Sequence, residues 1–101
     1  MPLQTVYHVV SQKTIAFWSV SDVENFLKRR RPKLALKYAD DFVRHYITGR
    51  VLMEITDEDL KMIGVESFEE RQDLLLEIRR TKLFCDFDEL QKLNQNDENN
   101  K

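Results

Sequence analysis

Residues 47–65 read Ile47-Thr48-Gly49-Arg50-Val51-Leu52-Met53-Glu54-Ile55-Thr56-Asp57-Glu58-Asp59-Leu60-Lys61-Met62-Ile63-Gly64-Val65. Thr56 followed three positions later by Asp59 is a capping box: the hydroxyl accepts from one orphan backbone N–H, and the carboxylate returns to another. The helix opened there carries Leu60, Met62 and Ile63. Gly64 closes it, because glycine accepts the left-handed backbone of a helix C-terminus without steric cost. Upstream, Arg50–Glu54 has room for one short helical turn, with Val51, Leu52 and Ile55 facing inward. Two short helices separated by a cap leave no space for a strand pair.

Moving outward, the same grammar repeats. Ser19 with Asp22 forms another box, and Val20, Val23, Phe26 and Leu27 follow at helical spacing. Trp18, just before the cap, suits a hydrophobic staple. This helix should end near Arg30, since Pro32 disfavours helical geometry at its predecessor. A second helix fits Leu34–His45, with Leu34, Tyr38 and Phe42 on one face, Ala35 and Ala39 beside them, and Gly49 as its stop. Ser67-Phe68-Glu69-Glu70 is a third box and opens the longest helix, which carries Leu74, Leu75 and Ile78. Asp86-Phe87-Asp88-Glu89 then has the makings of a cap for a further short helix bearing Leu90 and Leu93. Residues 1–16 lack helical period and read as a partly flexible arm. Residues 94–101, rich in Asn and Gln, read as a disordered tail.

Composition agrees with an all-α fold. In 101 residues there are two Gly and two Pro, too few for the frequent turns of a β-sandwich. Charged residues make up 34%, yet the net charge is only −2, so no global field favours nucleic acid or an anionic membrane. One cysteine, Cys85, cannot form an internal disulfide or a zinc site. The N-terminus has no basic, apolar leader, and no apolar run is long enough to span a bilayer. The expectation is a cytoplasmic chain. His8 and His45 share no motif with Cys85 or with paired carboxylates, and there is no phosphate loop or nucleophile elbow. No enzyme activity, metal or cofactor is expected.

The tryptophan, the capped helices and the quoted stretch together resemble the sterile alpha motif (SAM) domain. That family shows "I-x-G-x-x-L", matched by Ile47, Gly49 and Leu52, and "L-T-x-E-D-L-x-x-L-G-I", matched at Thr56, Glu58, Asp59, Leu60, Gly64 and Val65. The resemblance runs from Phe17 to about Lys82. It implies a compact five-helix bundle over residues 17–83, followed here by a helical extension over 84–93. Ile47-Thr48-Gly49-Arg50 and the charged continuation Arg79–Leu93 are similar to small SAM adaptors of the Aveugle or Hyphen type. That narrower likeness implies pairing with the SAM domain of a CNK-type scaffold in Ras–Raf–MAP kinase signalling.

SAM domains commonly dock the mid-loop face of one copy on the end-helix face of another. By resemblance, Leu52, Met53, Glu54, Asp57, Glu58 and Asp59 would form a mid-loop face here. Asp40 and Asp41, together with Phe84 and Phe87 of the extension, are secondary candidates. Capping and the helix dipole explain some of these carboxylates, but not all of them. The end-helix face departs from the family's "G-I-x-K-x-G-H-R". It reads Gly64-Val65-Glu66-Ser67-Phe68-Glu69-Glu70-Arg71, with Ser67 in place of Lys, Glu69 in place of Gly, and Arg71 alone surviving. Two acidic faces repel, which disfavours a polymer and favours a discrete heterodimer with the chain monomeric alone. The rival reading uses Lys28, Arg29, Arg30, Arg31 and Lys33, five cations in six residues, to hold an RNA hairpin or an acidic lipid.

Overall fold

The computed structural model describes residues 14–99, with side chains described as far as Gln91 and Glu89 excepted. After a single 3-10 turn at Ile15–Phe17 come five α-helices: α1 (Val20–Arg30), α2 (Pro32–Arg44), α3 (Gly49–Met53), α4 (Asp57–Ile63) and α5 (Phe68–Asn99). The expected all-α bundle is therefore observed. The arm of residues 1–13 lies outside the described residues, as do Asn100 and Lys101.

Local chemistry accounts for most of the boundaries. Ser19 and Thr56 each make both arms of a capping box. Thr48 caps α3 by accepting from the Val51 N–H. Pro32 takes the first position of α2, where its missing N–H and fixed φ do no harm, so α2 starts two residues before Leu34. Gly64 ends α4 at φ 125°, a backbone that side chains resist.

Gly49 plays a different part from the helix stop expected of it. α2 ends at Arg44, and the chain turns through Tyr46, which itself takes a positive φ of 54°. Gly49 opens α3 instead, and it is buried against the 3-10 turn. A Cβ there would lie 1.6 Å from the Ile15 carbonyl oxygen, and the Gly49 N–H donates to the Trp18 carbonyl at 2.9 Å. The absent side chain lets two backbones meet.

α1 and α2 pack against each other, and α3, α4 and the first half of α5 complete the core. Val23, Phe26, Leu27, Phe42, Leu52, Leu60, Val65, Leu74 and Ile78 are almost fully buried. Trp18 lies over Phe26 with ring centroids 5.1 Å apart. Of the residues expected to face inward around α3, Val51 is instead exposed. The extension also differs from a separately capped helix, because α5 runs through Asp86 without a break and its backbone stays helical to Asn99, into the stretch read as a disordered tail. Adding residues to an existing helix costs far less than nucleating one, and neither Gly nor Pro interrupts the sequence. Phe84 and Phe87 remain exposed on this extension.

Candidate functional site

The acidic residues around α4 share a neighbourhood but not a role. Leu52 is fully buried, so it supports the surface from beneath and offers a partner nothing directly. Asp59 is the return arm of the α4 capping box, accepting from the Thr56 N–H at 3.0 Å. Asp57 is half-buried and bonded to the first turns of α5. Its Oδ1 accepts from Arg71 Nε at 2.7 Å and from Gln72 Nε2 at 3.2 Å. Asp59 is exposed but committed to the cap, so Met53, Glu54 and Glu58 are the remaining exposed side chains of the predicted face. Met62, at 81% exposure, adds an apolar side chain on α4. Of the secondary pair on α2, Asp40 is exposed, whereas Asp41 is ion-paired with Arg44.

The start of α5 is acidic for a reason the sequence hides. Arg71, the surviving basic residue, is 4% exposed. Its Nη1 donates to the Val65 carbonyl at 3.0 Å and to the Glu66 carbonyl at 2.8 Å, while Nε holds Asp57. The guanidinium also lies 5.8 Å over the Phe68 ring. Its charge is spent on the junction between α4 and α5. On the surface, Glu66 and Glu69 are exposed. Glu70 accepts from Lys37 Nζ at 2.6 Å and from the Tyr38 hydroxyl. Lys37 and then Tyr38 hold the Glu70 carboxyl below the usual carboxylate range. The same bond, aided by burial, raises the Tyr38 phenol above its ordinary value.

The basic run is largely matched by α5. Arg30 pairs with Glu77 at 2.9 Å, and Arg31 pairs with both Asp73 and Glu77 at 3.1 Å. Lys28 pairs with Glu24 on its own helix. Glu77 is 2% exposed, so these arginines neutralise a carboxylate that could not otherwise remain buried. Arg29 and Lys33 are exposed. A phosphate backbone would have to compete with this network.

Among the described residues no cluster of His, Cys, Asp or Glu is arranged to hold a metal. No helix among them is long and apolar enough to cross a membrane. The model of the SAM domain (sterile alpha motif) matches residues 15–82. The chain belongs to the SAM domain family. It is also similar to Protein aveugle of Drosophila melanogaster, 33% identical over 81 residues, covering 80% of this chain and 76% of that protein. The SAM match ends before the C-terminal part of α5, so Leu83–Asn99 is an addition to the family's fold.

Sequence reading named the acidic residues as candidates without their partners across the fold. It missed the burial of Arg71 and the Lys37–Tyr38–Glu70 cluster. One signal for Arg71 was available: an arginine one turn into an otherwise acidic helix start, facing the same way as the core residues Leu74 and Ile78.

Proposed function

We propose that this SAM domain is a non-enzymatic adaptor that binds a second, different SAM domain as a discrete heterodimer. The contact is made by its acidic mid-loop face, with Glu54 and Glu58 as the charged groups and Met53 as the apolar one. Following the likeness to aveugle, the partner is the SAM domain of a CNK-type scaffold, in cytoplasmic Ras–Raf–MAP kinase signalling. The observation that carries this reading is the burial of Arg71. With that cation turned inward, the start of α5 presents Glu66 and Glu69, and it repels the acidic face around α4 on another copy. Docking needs a basic surface, and this chain does not offer one at the start of α5.

The test variant combines Glu54→Lys with Glu58→Lys. Asp57 is left alone because reversing it would strand the buried Arg71. Calorimetry against the scaffold's SAM domain should show binding abolished, with the helical circular dichroism intact. Undiminished binding would place the contact elsewhere. Light scattering should find the isolated chain monomeric at tens of micromolar, and growth in mass with concentration would favour a polymer. The basic run gives the RNA reading weak support, since Arg30 and Arg31 are engaged by Glu77 and Asp73.

A further inference from the structure

Beyond the family's fold, α5 carries an apolar stripe that nothing among the described residues covers. Leu76, Leu83 and Leu90 recur every seven residues and Phe87 falls between the last two, so all four lie within about 60° of helix arc. Leu83, Phe87 and Leu90 are each at least 60% exposed, and Leu76 is 41% exposed. Leu74 and Ile78, buried in the core, lie on the other side of α5. A second helix can therefore approach the stripe without meeting the bundle. An exposed row of this kind marks an interaction site.

The charges along the stripe say what that second helix is. Arg79 and Arg80 lie four and three residues before Leu83, while Asp86 and Phe87 lie three and four after it. All four are exposed, and Arg79 and Asp86, seven apart, share one edge of the stripe. Reversing the helix about Leu83 exchanges the two sets and brings Leu76 opposite Leu90. We propose that the stripe pairs two copies of this chain, antiparallel about a two-fold axis at Leu83. Arg79 of each copy then meets Asp86 of the other, and Arg80 meets the Phe87 ring. In a parallel pair the arginines would face each other. An anionic membrane fits less well, because Asp86 on the stripe's edge would meet the negative surface. The pair buries roughly 1,000 Å² in total, at the small end of specific interfaces. Such a contact is weak and transient. It leaves the chain monomeric at tens of micromolar, and forms at higher concentration or where a scaffold holds copies close together. Two-fold symmetry closes at the dimer, whereas a head-to-tail contact grows into a filament. The pairing does not use the acidic face around α4.

The experiment traps the pair as a disulfide in the full chain. Cys85→Ser removes the native thiol, and Leu83→Cys, at an exposed position, puts a single thiol on the two-fold axis. Under mild oxidation at several hundred micromolar we expect covalent dimers. Their yield should fall about ten-fold when Arg79→Glu is added, and return when Asp86→Arg is added to that, since symmetry counts each charge contact twice. Dimers that ignore the charge reversal, or no dimers at all, would overturn the assignment. Adding Glu54→Lys and Glu58→Lys instead should leave the yield unchanged, and a loss there would move the contact to α4 and sink the proposal. Sedimentation equilibrium of the unaltered chain provides the second measurement. Its mass should rise to twice the monomer's and stop. A mass that keeps rising means a polymer, and capture by anionic vesicles without dimerisation means a membrane; either result refutes the pairing.

Discussion

The starts of α4 and α5 follow the same capping pattern, Thr56-Asp57-Glu58-Asp59 and Ser67-Phe68-Glu69-Glu70, yet they fold differently. At α4 the box is complete, with reciprocal bonds of 3.0 and 3.1 Å between Thr56 and Asp59. At α5 only half forms. Ser67 Oγ accepts from the Glu70 N–H at 3.3 Å, but the Glu70 carboxylate goes to Lys37 and Tyr38 on α2. A short Asp has few other partners within reach. A longer Glu beside a packed helix finds a cation and a phenol, and an ion pair together with a hydroxyl bond outweighs the single backbone N–H of the box. A capping motif in sequence is therefore an offer that tertiary neighbours can outbid.

Arg71 joins the two starts, so removing it should have the largest effect. Arg71→Met leaves Asp57 without its main partner and the Val65 and Glu66 carbonyls without their donor. Because the broken pair lies at the edge of the core, we expect a loss of about 3 kcal/mol in denaturant unfolding. A loss below about 1 kcal/mol would mean that the junction gains little from the charge. The caps come next. Thr56→Ala should cost about 1 kcal/mol, and Ser67→Ala, at a longer and one-sided bond, about half as much. Equal costs would show that the longer Ser67 bond stabilises its helix as well as the shorter one at Thr56.

The smallest effect concerns pH. Glu70 has a folded pKa below its unfolded value, so its contribution is present above the unfolded pKa and fades as pH falls through the folded one. Tyr38 is shifted upward, so its contribution holds below the unfolded phenol pKa near 10 and is lost as pH rises through the folded value. Glu70→Gln should flatten the acid limb of stability below about pH 4.5 and reduce the alkaline one, as read from urea midpoints across pH. An unchanged acid limb would mean that Lys37 contributes no net stabilisation.

The candidate face was only partly legible in the sequence. Glu54, Glu58 and Met53 stand exposed as expected. Asp57 looked equivalent to Glu58, and nothing nearby in the chain shows that its partner lies 14 residues on. The basic run read as a candidate phosphate contact because Glu77, which engages Arg30, is 47 residues away. Gly49 was misassigned for the same reason. Its need for a bare Cα comes from the Ile15 carbonyl, across the fold, and not from a local turn.

The sequence by itself determined the features governed by spacings of three and four residues. These are the caps at Ser19 and Thr56, the stop at Gly64, the apolar faces of α1 and α2, and so the SAM fold. Such interactions are local, and their geometry is inherent in the helix. Only the tertiary structure decided which charges reach the surface. An ion pair is chosen by what lies within about 4 Å after packing. In this chain packing buried Arg71 against Asp57, matched Arg30 and Arg31 to Glu77, and left Glu54 and Glu58 facing out.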